Sequence, residues 1–71
     1  MKLSARNSFP GKVTAVKLGP ISAEVIINIA PGIDIVSVIS AASAQSLGLA
    51  VGKPAYAVIK ASSVMVAVDD A

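Results

Sequence analysis

Proline and glycine interrupt this chain so often that no long helix fits between the interruptions. They fall at Pro10-Gly11, Gly19-Pro20, Pro31-Gly32, Gly48 and Gly52 to Pro54. The pieces between them have strand length. Their apolar residues are mostly Val, Ile and Ala, and the β-branched ones favour strands. The first predicted strand is Lys12 to Leu18, begun upstream near Ser4. The second is Ile21 to Ile29, where Ala23, Val25, Ile27 and Ile29 share one face and Ser22, Glu24 and Asn28 share the other with Ile26. Pro31-Gly32 reads as a turn, so strands two and three form a hairpin. The third strand, Asp34 to Ile39, is apolar on both faces, which predicts burial on both sides.

Ser40 to Leu49 changes character, being rich in alanine and poor in β-branching. It predicts a short helix. Ser40 or Ser43 can cap its start by accepting a backbone N–H bond, and Gly48 suits the left-handed position that ends it. A strand over Ala55 to Lys60 follows, then a break at Ala61-Ser62-Ser63, a last strand over Val64 to Val68, and a solvated Asp69-Asp70 tail. Three strands, a helix and two strands is the order of the OB-type five-stranded Greek-key barrel. An SH3-like barrel lacks a helix at that place.

Seventy-one residues form one domain, here 1–71, and a small one. A core of that size barely offsets the entropy of ordering the chain. Small domains often add disulfides, metals or partner subunits. Cysteine and histidine are both absent, which removes disulfides and the usual zinc and haem ligands. Oligomerisation is left. Apolar residues make up 55% and charged residues 14%, against about 25% charged in an average soluble domain. A surface so poor in charge is expected to be buried against copies of itself.

Other classes fit less well. The longest charge-free stretch, Ile35 to Gly52, carries four serines, a glutamine and two glycines, and makes a poor bilayer helix. Lys2 and Arg6 precede no apolar signal-peptide segment, so a cytoplasmic location, with no membrane partner, is expected. A net charge of +2 and two aromatics, Phe9 and Tyr56, argue against a nucleic-acid partner. No enzyme is expected: histidine and cysteine are missing, the acids are Glu24, Asp34, Asp69 and Asp70, and no glycine-rich phosphate loop occurs.

The remaining chemistry is small hydroxyls beside isolated cations. Ser4-Ala5-Arg6-Asn7, Ser40-Ala41-Ala42-Ser43 and Lys60-Ala61-Ser62-Ser63 each offer hydroxyl and backbone N–H donors, and two add positive charge. That mixture suits a tetrahedral oxyanion, which needs convergent donors more than an acid or base. Plainer roles stay open. Ser40 and Ser43 can serve as caps only, Arg6 can pair with Glu24 or Asp34, and Lys60 can be a solvated strand residue.

These residues resemble a known family. Ser4 to Asn7 ahead of a Gly-Lys-Val strand, Ile39 to Ser43 with Leu47-Gly48-Leu49, Gly52-Lys53, and Val58 to Met65 are similar to the molbindins, the small Mop or TOBE-type molybdate-binding proteins. The resemblance covers nearly the whole chain. It implies an OB-type fold with strand exchange, a homo-hexamer built as a trimer of dimers, and oxyanions held at subunit interfaces. It implies one class of site on Ser4, Arg6, Ser40, Ser43, Lys60, Ala61 and Ser62. A second class, nearer the symmetry axis and richer in backbone donors, is placed on Gly19, Pro20, Ile21 and Ser22, where Pro20 departs because it has no N–H. Molybdate is the implied ligand, with tungstate possible by size and geometry, and intracellular molybdenum storage or homeostasis the implied task. A nucleic-acid-binding OB module, a purely structural assembly domain and a molybdate-sensing regulatory domain are the alternatives.

Overall fold

A computed structural model describes residues 1–70 of the chain. It contains β1 (Asn7–Leu18), β2 (Ser22–Ala30), β3 (Ile33–Ser40), α1 (Ala41–Ser46) and β4 (Pro54–Ile59), followed by a 3₁₀ turn at Ala61–Ser63. The strands form one antiparallel sheet in the order β3-β2-β1-β4. The protein is therefore mostly sheet with one short helix, as expected.

β1 is the spine. Asn7 to Lys12 pairs with β4, and Lys12 to Leu18 pairs with β2. Pro10-Gly11 thus lies inside a strand that begins at Asn7, upstream of Lys12, which corrects the reading of this pair as an interruption. Pro10 falls in the half of β1 that pairs on one side only, where a missing N–H is tolerated. Gly11 admits a close crossing: a Cβ there would lie 2.5 Å from the Asn28 carbonyl oxygen and 2.8 Å from Ile27 Cγ2. The register then shifts between Val13 and Ala15, so Thr14 is an inserted residue that bends the strand.

The predicted alternation of β2 holds. Ala23, Val25 and Ile27 are buried and, with Val13, Ala57 and the helix residues Ala41 and Ala44, make up the core. The β2–β3 hairpin turns at Pro31-Gly32, with Gly32 at φ 74°. Asn28 Nδ2 braces it, donating to the Ala30 carbonyl at 2.9 Å and to Asp34 Oδ1 at 2.9 Å. β3 departs from expectation. Ile35, Ser37 and Ile39 are half-buried, but Val36 and Val38 on the opposite face are 60% and 69% exposed. Among the described residues, nothing covers Val36 and Val38 on that face.

α1 is shorter than the Ser40–Leu49 segment. Ser40 Oγ accepts from the Ser43 N–H at 3.0 Å and caps it. Leu47 and Gly48 end it, with Gly48 in the left-handed region at φ 62°. Lys53 Nζ donates to the Leu47 carbonyl at 2.6 Å and the Gly48 carbonyl at 3.3 Å.

The fifth strand and the closed barrel are corrected as well. Val64 to Val68 has no ladder partner among the described residues; it follows the 3₁₀ turn, with Val64 in extended backbone. Met65, Val66 and Val68 are 93%, 88% and 86% exposed. The sheet has four strands and stays open. Its core side carries an apolar groove of about 510 Å³, lined among others by Ile35 and Ile39 of β3, Leu49, and Ala57 and Ile59 of β4. Among the described residues, no helix is long and apolar enough to cross a membrane.

Candidate oxyanion site

The sheet sorts the candidate residues into two clusters, one at each end of β1. At the start of β1, Asn7 pairs with Ile59, the last residue of β4. One step further out, Ser4 and Arg6 approach the pairing from one side and Lys60, Ala61 and Ser62 leave it on the other. All except Ala5 between them are exposed. Lys60 keeps extended backbone at φ −61°, ψ 131°, and its carbonyl accepts from the Ser63 N–H at 2.8 Å, which closes the turn. A 3₁₀ turn satisfies its donors only from the third residue on, so the Ala61 and Ser62 N–H groups have no acceptor within it. This cluster combines two cations, two or three small hydroxyls and backbone donors.

The other cluster lies past the far end of β1, where Leu18 pairs with Ala23. Ser22 pairs with Ser40 across the β2–β3 ladder. The Gly19 N–H donates to the Ser22 carbonyl at 2.9 Å, and the Ala41 N–H donates to the Ile21 carbonyl at 2.8 Å. The Gly19–Ser22 turn therefore holds the start of α1 directly. A Cβ on Gly19 would lie 2.9 Å from the Ser22 carbonyl oxygen, so the turn needs glycine. The Ser40 hydroxyl is already committed: it accepts from the Ser43 N–H and donates to Ser43 Oγ at 2.8 Å. Ser43 Oγ accepts that bond and keeps its own hydrogen to donate.

The expected single site of Ser4, Arg6, Ser40, Ser43, Lys60, Ala61 and Ser62 is thus split within one chain. Ser40 and Ser43 instead adjoin Gly19 to Ser22, which the sequence assigned to a second class. A straight strand as long as β1 would span roughly 36 Å, and its bulge bends but does not fold it back. Sequence reasoning missed the Ser22–Ser40 pairing although a signal existed. Counting back equally from the Pro31-Gly32 turn brings the two within one residue of each other. It also left Lys53 without a role, and the structure shows this cation bound to the end of α1.

Chemically both clusters are donor sets. Neither contains a carboxylate, and among the described residues no three acidic groups converge to hold a metal cation. Donors with cations and no base match an anion to be held.

A family model described as the TOBE domain matches residues 3–66. The chain belongs to the TOBE-domain family. The match spans both clusters and bears out the resemblance to the Mop and TOBE proteins. The chain is 49% identical over 69 residues to a probable molybdenum-pterin-binding protein of Haemophilus influenzae, covering 97% of this chain and 100% of that one. Among solved structures it resembles MopII from Clostridium pasteurianum in an apo form, with a TM-score of 0.88 at 42% identity, over 94% of this TOBE domain and 100% of MopII. It also resembles ModG, described as a cytoplasmic molybdate-binding protein and solved with molybdate bound. There the TM-score is 0.80 at 49% identity, over 86% of this chain and 43% of ModG. These relatives are named for binding, not for catalysis.

Proposed function

We propose that this protein binds molybdate, and tungstate by the same geometry, between copies of itself, and that its task is cytoplasmic storage or homeostasis of the oxyanion. The observation that carries the ligand is the likeness to ModG, which holds molybdate at 49% identity. The split of the candidate residues supports the interface. Arg6 and Lys60 supply charge at one end of β1, and Ser43 with Ser22 supplies hydroxyls at the other. A neighbouring copy that brings its helix start to the Arg6–Lys60 end completes the set. A dianion taken from water is tolerated only when charge and hydrogen bonds surround it. Of the second class, the Gly19 N–H is committed and Pro20 has none, so its donors are the Ile21 N–H and the Ser22 hydroxyl.

The assembly we infer is a hexamer, a trimer of dimers, of one domain spanning 1–71. In it the exposed Val64–Val68 segment is exchanged between copies and completes a five-stranded OB-type barrel at the groove. The apolar composition, the open sheet and the exposed valines of that segment support this reading. No catalysis and no nucleic-acid or membrane partner belongs to it.

Titration calorimetry with molybdate, tungstate, sulfate and phosphate in parallel tests the ligand. Molybdate and tungstate should bind. Sulfate should bind more weakly, because a smaller ion is reached by fewer donors. Phosphate should too, because it arrives partly protonated and turns an O–H toward donors. Absence of molybdate binding sinks the proposal.

A further inference from the structure

Lys53 ties the end of α1 to the core of the sheet. Its backbone is fixed to β1. The Val13 N–H donates to the Lys53 carbonyl at 2.9 Å, and the Gly52 N–H donates to the Val13 carbonyl at 2.8 Å. Val13 is 1% exposed, so this anchor is in the core. The side chain of Lys53 reaches the other way, to the Leu47 and Gly48 carbonyls. Gly48 leaves room for it, since a Cβ there would stand 3.2 Å from Lys53 Nζ.

α1 is otherwise lightly held. It has six residues, of which Ala41 and Ala44 are buried, and each of these offers a single methyl group to the core. A helix this short has little stability of its own and takes its orientation from what it touches. At its start the Ala41 N–H donates to the Ile21 carbonyl at 2.8 Å. At its end, among the described residues, Lys53 supplies the side-chain hydrogen bonds that come from outside the helix and its caps.

This clamp stands one hydrogen bond away from the candidate site. Leu47, which accepts from Lys53, also donates its N–H to the Ser43 carbonyl at 3.0 Å. Ser43 carries the hydroxyl that accepts from Ser40 and keeps its own hydrogen for a ligand. Hydrogen bonds weaken steeply as they bend. A donor on a helix free to tilt is therefore a poorer donor than one on a helix locked at both ends.

We propose that Lys53 is a positioning residue for oxyanion binding: without touching the anion, it locks the end of α1 to β1 and so sets where the Ser43 hydroxyl points. The inference rests on the ligand reading above and adds a residue outside both clusters.

Molybdate titration calorimetry on the full-length chain tests it, beside melting of the ligand-free protein. Lys53→Met keeps the apolar stem that lines the groove and removes the ammonium. It should weaken molybdate binding by about threefold to thirtyfold, the range for a residue coupled to a site it does not touch. Lys53→Arg can donate to the same carbonyls and should return the parent affinity. Both titrations are repeated at about 1 M sodium chloride, where the screening length is about 3 Å. A lost distant charge no longer matters there, so the difference between the two variants should persist. Lys53→Gln, one atom shorter and uncharged, takes the place of Lys53→Met if that variant fails to fold, and the same loss is expected. A plain helix cap predicts a lower melting temperature for Lys53→Met with the parent's molybdate affinity, and that result overturns the inference. So does a loss that vanishes at high salt, or one that Lys53→Arg shares. A parent that gives no heat with molybdate overturns the ligand reading and this inference with it. A parent that binds beside a Lys53→Met variant that binds equally overturns this inference alone.

Discussion

Lys60 and Lys53 are the same side chain put to opposite uses. Lys53 reaches back to the Leu47 and Gly48 carbonyls and satisfies acceptors that a helix end leaves open. Lys60 is exposed, extended in backbone, and followed by Ala61, Ser62 and Ser63, whose small side chains leave the backbone of the turn open to a ligand. A compact ammonium there can meet an anion as a point charge. Lys60→Ala should change the stability of the ligand-free protein by no more than about 0.5 kcal/mol, as surface substitutions do. In a buried pair with the anion, its loss should weaken binding by about 2–5 kcal/mol. Calorimetry on this variant checks both the sign and the site. Unchanged molybdate affinity would move the assignment to Arg6 and Ser43. Ser40 makes a different case: its hydroxyl is engaged twice at the start of α1, so its effect on a ligand passes through Ser43.

At the scale of elements, β1 separates what a sequence displays from what it conceals. Gly11 sits in strand conformation with no positive φ, so its necessity comes from space alone. A methyl group at 2.5 Å from the Asn28 carbonyl oxygen must push backbone, which cannot swing aside as a side chain would. Gly11→Ala should therefore destabilise by about 1–3 kcal/mol, the usual cost of overpacking, read as a lower urea midpoint at an unchanged slope. A neutral midpoint would mean that β1 and β2 do not cross as closely as described. The sequence marked Gly11 as a breaker because Pro-Gly pairs usually turn the chain. Only the β2 crossing, which depends on residues far along the chain, turns it into a packing position. The strands from Ile21 to Lys60 were legible to within one residue at each end, because alternation and turn residues are local signals. Ser40 as cap and Gly48 as left-handed terminator were legible for the same reason. Val64 to Val68 has strand composition too, yet strands need an edge to pair with, and composition carries no information on where the edge is. The same limit applies to the candidate site. Residue types suggested an anion, and pairing alone decides which hydroxyls stand near which cations.

For the whole molecule, the balance between a small core and a large apolar exterior ties stability to association. Among the described residues, Val13 and Val25 are the two sizeable side chains that are all but fully enclosed. Val36, Val38, Met65, Val66 and Val68 stay exposed in a single chain. A ligand that bridges copies then stabilises twice, by occupying its site and by drawing the equilibrium toward the assembly. For a ligand that binds only the native assembly, the first effect is RT ln(1 + [L]/Kd), about 2.7 kcal/mol per site at a hundredfold excess over Kd. The melting temperature should therefore rise with molybdate, and rise further as protein concentration increases at fixed excess ligand. Sulfate at the same ionic strength should raise it much less, since screening and ion exclusion act on both salts alike while the donor set does not. Equal shifts for the two salts would show a general ionic effect. A molybdate shift independent of protein concentration would place the anion within one chain, and the two clusters at the ends of β1 would then have to bind separately.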